Sequence, residues 1–188
     1  MRISECREED VVLLDQHMPS PGSSQYAYRF ARQLDGTSSF LVAWRDGRPV
    51  GSCEVRWEGC AAPEVRAVHP GCPEINGLGG WLGTLRSHRV ASALIGAAEE
   101  LSRERGRISV GLGVEKNNPR TEALYKRLGY RPATPYLDLW SYEDGAGLTH
   151  RVADACTFLV KDLQLIPAPD PVHRDASVHR DGQVSRDG

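Results

Sequence analysis

The chain has 188 residues, of which 40% are apolar and 26% charged, as expected for one globular domain with its own core. Its 23 Lys and Arg residues are balanced by 25 Asp and Glu residues, which gives a net charge of −2. Because nucleic-acid-binding domains usually carry a basic excess, this balance argues against nucleic acid as a partner. No apolar run approaches the length of a membrane helix, about 18 residues, so a membrane partner is not expected.

The cysteines and the N-terminus indicate a cytoplasmic protein. The count of five cysteines is odd and their spacings are irregular, which predicts free thiols. Residues 1–10 alternate in charge and contain no hydrophobic signal region. Cys60, His69 and Cys72 could in principle hold a metal ion, but no Cys-x-x-Cys pair accompanies them, so no metal site is expected.

The first third of the chain is predicted to form a strand, two helices and a hairpin. Apolar spacing and turn residues place these elements, in order, at residues 2–5, 10–18, 25–34, 39–45 and 49–57. The pair Asp46-Gly47 between the last two segments is typical of a tight hairpin turn. Residues 17–24, rich in Pro, Gly and Ser, are predicted to be a loop between the helices.

The middle of the chain alternates between glycine-rich and strongly periodic segments. Residues 59–72 are rich in Ala, Pro and Gly and are predicted to be a loop, and residues 74–82 form a glycine-rich strand. The clearest helix follows at about residues 89–105, because apolar residues recur at helical spacing and Gly106 stops it. Residues 107–114 are predicted to be a buried strand whose glycines indicate close approach by another group.

The last part of the chain adds a helix and two strands. Asn118 is a plausible N-cap and Pro119 a first helical residue for a helix over residues 119–128. Residues 136–142 and 156–163 are predicted to be closing strands. The element order predicts an α/β fold with a mixed, mostly antiparallel sheet of six or seven strands and about four helices.

The C-terminal 23 residues differ in character from the rest. A six-residue repeat with one apolar residue in each unit begins near residue 172, and such units cannot bury a core. We expect residues 1–165 to form a single domain and residues 166–188 a disordered tail. A metal-binding role for His173 and His179 in the repeats is the alternative.

The turn from Arg86 to Ala91 precedes the clearest helix and contains Arg86 and Arg89. A helix N-terminus presents unpaired backbone N–H groups and the positive end of the helix dipole. Arginines disfavour a helix start unless an anion is bound there. The segment therefore predicts a phosphate-binding turn.

Two motifs carry a family resemblance. Arg86-Ser-His-Arg-Val-Ala91 follows the pattern [Q/R]-x-x-G-x-[G/A], with Arg89 in place of the central glycine. Asn118-Pro-Arg-Thr-Glu-Ala-Leu-Tyr125-Lys-Arg-Leu-Gly129-Tyr130 follows N-x-x-A-x-x-L-Y-x-x-x-G-F, with Thr121 for Ala and Tyr130 for Phe. Both motifs, one helix and one strand apart, resemble those of the GNAT superfamily of N-acetyltransferases, and the resemblance covers residues 2–163.

The resemblance implies that the fourth and fifth strands splay apart and that coenzyme A, delivered as acetyl-CoA, occupies the gap. The pantetheine arm is expected along the fourth strand, and the pyrophosphate on residues 87–91. The expected cofactor contacts are Gly80, Trp81, Leu82, Arg86, Ser87, His88, Arg89, Val90, Ala91, Asn118 and Tyr125.

The resemblance also implies an N-acetyltransferase that moves an acetyl group to a primary amine by direct attack. An alkyl amine with a pKa of about 10.4 costs about 4–5 kcal/mol to neutralise at pH 7, so a general base is useful. The thiolate leaving group needs a proton. Tyr125 matches the family's tyrosine and is the candidate general acid; the alternative is that it packs with Leu124 and Leu128.

Glu74 at the start of the fourth strand is the candidate general base. Asn76 lies on the same strand face by alternation and could position the amine or a water. The alternative is a solvated glutamate at a strand end. Glu54 and Glu58 on the preceding strand are weaker candidates for the base.

The acceptor pocket is expected between the first two helices and the last strands. Tyr28, Asn76, Tyr136 and Trp140 are the predicted contacts, and Asp138 could hold a cation. The aromatic residues are equally explained as core packing. A small-molecule amine, an antibiotic aminosugar and a peptide or protein amine stay open as acceptors.

Other functions fit parts of the sequence. A non-catalytic coenzyme A-binding module is suggested by Arg89 in place of glycine. A toxin-type acetyltransferase acting on charged tRNA would need a basic surface, which a net charge of −2 disfavours. A different acyl donor and a homodimer are left open.

Overall fold

The computed structural model describes residues 1–19, 25–80, 85–143 and 147–163, and the predicted tail at residues 166–188 lies outside them. Within these ranges, seven strands form one sheet in the order β1-β2-β3-β4-β5-β7-β6, accompanied by five helices. The predicted mixed, mostly antiparallel α/β fold is confirmed. In chain order the elements are β1 (Arg2–Glu5), α1 (Glu8–His17), α2 (Gln25–Leu34), β2 (Ser38–Arg45), β3 (Arg48–Arg56), α3 (Pro63–Val68), β4 (Glu74–Gly80), α4 (Leu85–Glu104), β5 (Ser109–Glu115), α5 (Pro119–Arg127), β6 (Arg131–Glu143) and β7 (Thr149–Asp162).

The β2–β3 hairpin has the turn that its sequence predicts. Asp46 and Gly47 both have positive φ, 52° and 75°, as a tight hairpin turn requires. The side chains of β2 are buried along nearly the whole strand. The hairpin therefore lies within the sheet, between β1 and β4.

Helix α3 lies in a segment that the sequence predicts to be a loop. Pro63 occupies the start of the helix, where its missing N–H costs little, and Val65 is buried. A helix of six residues is stabilised by packing rather than by propensity, so its Ala-, Pro- and Gly-rich sequence does not reveal it.

The β6–β7 hairpin is longer than predicted and extends past the rest of the sheet. β6 begins at Arg131 instead of residue 136, and β7 begins at Thr149 instead of residue 156. β6 is an edge strand, which tolerates the prolines at its start because not every N–H there is needed for pairing. β5 pairs with β7 only as far as Cys156, so the rest of the hairpin forms a two-stranded arm.

Helix α4 begins one turn earlier than predicted, at Leu85 instead of residue 89. Apolar spacing becomes visible only from Val90 onward, and no acidic residue marks the first turn. The N–H groups without a helical partner are therefore those of the first turn, up to residue 87, while the Arg89 N–H belongs to the helical ladder. No helix in the described ranges is long and apolar enough to cross a membrane.

The sheet has two differently covered faces. One face packs against α4 and α5 in the largest apolar cluster, which includes Leu94, Ala98, Leu112 and Tyr125. The opposite face is covered by α1 and α2 around Phe40 and by α3 around a smaller cluster. We call these the α4–α5 face and the α2–α3 face.

Strands β4 and β5 are parallel neighbours that pair over a very short distance. Their register contains one pair, Glu74 with Gly111, and the Gly111 N–H donates to the Pro73 carbonyl over 2.9 Å. Beyond this point the two strands separate. The predicted splaying of the fourth and fifth strands is confirmed, and it opens a gap through the sheet.

Candidate active site

A β-bulge in β4 lies at the edge of this gap. Ser52 pairs with Gly79 and Glu54 with Asn76, so β4 uses one residue more than β3 over the same span. The extra residue falls at positions 77 and 78, opposite Cys53, and Gly77 has a φ of +56°. Bulges of this kind leave backbone groups outside the ladder and are common beside active sites.

Tyr125 approaches the bulge region from the α4–α5 face. Its side chain is buried, and its ring centroid is 6.3 Å from that of Tyr130. Burial raises the pKa of Tyr125 to about 12, and the nearby Cys53 adds to this shift. Because Cys53 lies opposite the bulge, Tyr125 lies near the gap, and it also packs with Leu124 as the alternative expected.

Arg29 approaches the same bulge from the α2–α3 face. Its Nη1 donates to the Gly77 carbonyl over 3.2 Å, and a Cβ at position 77 would overlap its guanidinium. The guanidinium carbon lies 6.0 Å from the Tyr26 ring and 5.9 Å from the Phe40 ring. Burial lowers the pKa of Arg29, and Glu54 opposes that shift. No motif in the sequence indicates Arg29. Its position three residues after Tyr26, on one side of an amphipathic helix, is the only pattern that could have predicted its burial.

Glu74, the predicted base, is buried and lies on the α2–α3 face. The Nη1 of Arg56 lies 3.4 Å from Glu74 Oε2, and Cys60 and Asn76 are neighbours that help to lower the pKa of the carboxyl group. Burial raises the pKa of Glu74, although Arg56 opposes the shift. The alternative of a solvated strand-end glutamate is wrong, since only 3% of the residue is exposed.

Glu54 is the neighbouring carboxylate and has the opposite character. Both of its oxygens accept from Arg32, each over 2.7 Å, and Arg56 Nε lies 3.4 Å from Oε2. Burial alone would raise the pKa of Glu54, but hydrogen bonding, chiefly from Arg32, and the charges of Arg32 and Arg56 together outweigh it, so the net shift is downward. A carboxylate held ionised with both oxygens occupied is a poor proton acceptor, and Glu58 lies exposed beyond the end of β3.

Two of the cofactor residues predicted on α4, His88 and Arg89, line a cavity of about 560 Å³ between α4 and α5. Arg127, which no sequence motif indicates, lines it as well. Ser92, Ala93, Leu124 and Leu128 complete the lining. Two arginines and His88 from the first turn of α4 thus border the same cavity.

The remaining predicted cofactor residues lie apart from this cavity lining or are only partly described. Gly80 ends β4 opposite Gly51, and the Val90 side chain is buried against that same glycine. Asn118 is the N-cap of α5 and accepts from the Thr121 N–H over 3.2 Å, as predicted for a cap. Ala91 packs partly buried against the core of the α4–α5 face. Trp81 and Leu82 lie outside the described residues, and for Arg86 and Ser87 only the helical backbone is described.

The predicted acceptor residues are not gathered into one pocket. Tyr136 is buried with its ring 6.4 Å from Phe158, whereas Tyr28 is exposed on α2. Trp140 is half-exposed on the β6–β7 arm and donates from Nε1 to Asp154 over 2.8 Å. Asn76 sits beside Glu74 on β4 and is the member of the set nearest the predicted base.

The glycines of β5 are explained by aromatic residues of this chain. A Cβ at Gly113 would overlap the Tyr136 hydroxyl, and one at Gly111 would overlap the Phe158 ring. The predicted close approach is therefore internal packing on the α2–α3 face.

The metal alternative has no counterpart in the described part of the chain, where no group of His, Cys, Asp and Glu has a geometry suited to a metal ion. Cys60 and Cys72 are buried free thiols, as are the other three cysteines. His69 instead shares a hydrogen bond of 3.0 Å with Thr134.

Solved structures with the same fold cover nearly the whole chain. The aminoglycoside 6'-N-acetyltransferase from Enterococcus faecium is 15% identical, with a TM-score of 0.58 over 90% of this chain and 100% of that one. The ribosomal-protein-alanine N-acetyltransferase from Brucella melitensis is 19% identical, with a TM-score of 0.60 over 87% and 100%. The yncA protein from Salmonella typhimurium, solved with its cofactor acetyl-CoA, is 17% identical, with a TM-score of 0.60 over 90% and 98%.

At identities below 20%, these structural similarities show the fold alone. A search of curated protein sequences finds no match. The model of the acetyltransferase (GNAT) family, however, matches residues 8–130, which is more than half of the chain and includes the gap, the bulge and Tyr125. The chain therefore belongs to the GNAT acetyltransferase family, whose cofactor is acetyl-CoA.

Proposed function

We propose that this protein is an N-acetyltransferase that moves the acetyl group of acetyl-CoA to a primary amine of a small molecule or peptide. The observation that carries the proposal is the bulge at Gly77 and Leu78. It lies at a gap in the sheet, with Tyr125 on one face and Glu74 and Asn76 on the other. A donor entering from one face and an acceptor from the other would meet there.

The α4–α5 face has the donor set that a coenzyme A molecule requires. The first turn of α4 offers unpaired N–H groups and the positive end of a helix dipole. Arg89 and Arg127 line the adjacent cavity of about 560 Å³ and would supply charge-assisted contacts to phosphate. Acetyl-CoA supplies an activated acetyl thioester when it is bound.

Glu74 is the proposed general base. A carboxyl group whose pKa is raised by burial is a better proton acceptor than an ordinary surface glutamate. Asn76 lies two residues along β4 from Glu74 and helps to lower its pKa, so we propose that Asn76 orients the amine or an intervening water. Proton removal at this point lowers the cost of presenting a neutral amine, which is about 4–5 kcal/mol at pH 7.

Tyr125 is the proposed general acid. With a pKa of about 12, its hydroxyl is protonated throughout the neutral range and is available to donate to a departing thiolate. The apolar surroundings on this face also keep water away from the Tyr125 hydroxyl.

The bulge itself is proposed to polarise the thioester carbonyl through a backbone N–H at positions 77–78. Arg29 fixes the Gly77 carbonyl, which limits the orientation of the neighbouring peptide groups. A single preorganised N–H donor of this kind is worth about 2.7–4 kcal/mol in other acyl-transfer enzymes.

A thiol-release assay with acetyl-CoA tests this function. The amine panel contains aminoglycosides and a peptide with N-terminal alanine, which reflect the named relatives, together with amino acids and simple alkyl amines. We expect amine-dependent thiol release with at least one class, and a rate lower by about 10²-fold or more with Tyr125→Phe at matched enzyme concentration. Calorimetric binding of coenzyme A without thiol release for any amine would instead support the non-catalytic module.

A further inference from the structure

A second cavity, of about 330 Å³, opens on the α2–α3 face beside the predicted base. Three arginines from different elements line it: Arg32 from α2, Arg56 from β3 and Arg66 from α3. The other lining residues are Thr37, Glu58, Gly59, Cys60 and Ala61. Arg66 belongs to α3, which packs against β6, so that arginines from three separate elements meet at this cavity.

Among the side chains that line this cavity, three arginines accompany one glutamate, Glu58. The Arg32 guanidinium is matched by the buried Glu54, and Arg56 touches both Glu54 and Glu74, while Arg29 is also buried near Glu54. Arg66 and Glu58 are exposed. Buried or half-buried guanidinium groups that outnumber their carboxylates are costly unless an anionic group completes the set.

Arg56 joins the cavity to the predicted base. Arg56 lines the cavity and also contacts Glu74 over 3.4 Å. The described contacts use two of the five N–H donors of this guanidinium, at Nε and Nη1. A molecule whose acid group binds Arg56 and whose amine faces Glu74 would therefore need only a few covalent bonds between the two groups.

Negative charge from β6 also reaches Glu74. Asp138 on β6 interacts electrostatically with Glu74, and its cross-strand partner is Asp154. Glu74 and Asp138 together favour a cationic amine, whereas the arginines of the cavity favour an anionic group.

We propose that the acceptor is an amino acid or a similar small zwitterion, with its amine at Glu74 and its acid group in the cavity of Arg32, Arg56 and Arg66. This rests on the proposed function and adds the substrate class. A lysine side chain or an N-terminus of an intact protein carries no acid group at that spacing, and an aminosugar carries none at all.

The test compares three acceptors that share one side chain: phenylalanine, phenylalaninamide and phenethylamine, with parallel sets for histidine and lysine. The amide has the lowest amine pKa of each set, so intrinsic reactivity alone would favour it at pH 7.5. We expect the free acid to have a kcat/KM at least about tenfold above the amide, the gain typical of one charge-assisted contact pair. An amide or a decarboxylated amine that equals the acid would overturn the proposal.

Arg66→Gln is the matched variant, because Arg66 lines the cavity without contacting Glu74 or Glu54 in the described ion pairs. It should raise KM for the acid roughly tenfold, leave kcat unchanged, and leave the amide unaffected. Arg131→Gln, which removes an exposed arginine on β6, is the control and should change neither. Equal effects of Arg66→Gln on acid and amide would contradict an acid-binding role.

A binding measurement separates this proposal from the proposed function. Calorimetry compares N-acetylphenylalanine with N-acetylphenethylamine, which needs no turnover. Binding of the acid alone, weakened in Arg66→Gln, would sustain the site even if no amine were acetylated. Equal binding of both compounds would overturn the site even if acetylation of other amines were found.

Discussion

On the α4–α5 face Tyr125 lies among apolar side chains, whereas on the α2–α3 face Glu54 and Glu74 lie among arginines. The apolar face keeps one hydroxyl protonated by excluding water. The charged face keeps two carboxylates, a few ångströms from the same Arg56, in opposite states: the pKa of Glu54 is lowered and that of Glu74 is raised. Burial raises the pKa of all three groups, and the guanidinium contacts decide in which direction the pKa of each carboxylate finally shifts.

Removing the Glu54 charge should have the largest effect on stability. Glu54→Gln leaves Arg29, Arg32 and Arg56 without their shared carboxylate, and we expect a loss of about 3 kcal/mol in the free energy of unfolding. Because folding lowers the pKa of Glu54, its stabilisation is present above the unfolded-state pKa of about 4.3 and is lost as the pH falls toward the folded value. Urea unfolding at pH 7 measures the loss of stability, and its comparison with unfolding at pH 4 measures the pH dependence.

Glu74→Gln is the control for that substitution. Folding raises the pKa of Glu74, so its ionised form at pH 7 opposes folding, and the neutral Gln should keep or increase stability. A loss of stability as large as that of Glu54→Gln would show that the two carboxylates do not differ as described.

Tyr125→Phe should reduce kcat by about 10²-fold or more with little change in coenzyme A affinity, because only the transferred proton is lost. Steady-state thiol release and calorimetry give the two values. Tyr130→Phe is the control, because it removes a hydroxyl that donates a hydrogen bond to Glu99 on the same face. It should leave kcat within a few-fold of the wild-type value. Near-normal turnover of Tyr125→Phe would mean that Tyr125 only packs in the core.

Glu74→Gln should also change the pH–rate profile. The wild-type kcat/KM should fall at acidic pH around a pKa above that of an ordinary glutamate, since burial raises it. The variant should lose this acidic limb together with about 10²-fold in rate. A retained acidic limb would mean that another group is the base.

Gly77→Ala should damage the bulge where the two faces meet. The residue has positive φ and its Cβ would overlap Arg29, so we expect a loss of about 1–3 kcal/mol in stability and reduced turnover. Gly36→Ala provides the comparison, because Gly36 also has positive φ but open space around it. Thermal unfolding and thiol release of both variants separate backbone strain from the loss of the Arg29 contact, and equal losses would exclude a special role for that contact.

Arg89→Glu should have the smallest of these effects, weakening coenzyme A binding roughly tenfold without changing stability, because one phosphate contact becomes a repulsion. Calorimetry provides the value. Arg7→Glu makes the same charge change beside α1, away from the cavity, and should leave affinity unchanged. Unchanged affinity in Arg89→Glu would remove Arg89 from the phosphate contacts.

The sequence by itself determined the features that depend on neighbouring residues. Asp46-Gly47 specified the hairpin turn, Asn118-Pro119 specified the start of α5, and the motif around Tyr125 indicated the family. Each of these follows from local backbone preference or from residues on one element. The start of α4 and the whole of α3 were missed because weak local signals there are overruled by packing.

Only the tertiary structure decided the chemistry of the α2–α3 face. Arg29 and Gly77 are 48 residues apart in the sequence, and Arg32 and Glu54 are 22 apart. No local sequence pattern therefore indicates that the members of either pair are in contact. The opposite pKa shifts of Glu54 and Glu74 follow from which carboxylate each guanidinium reaches after the sheet has formed. Electrostatic environment depends on distance in space. In this molecule that distance is fixed by the register of β3 against β4 and by the packing of α2 on β2, from which Arg29 reaches β4 and Arg32 reaches β3.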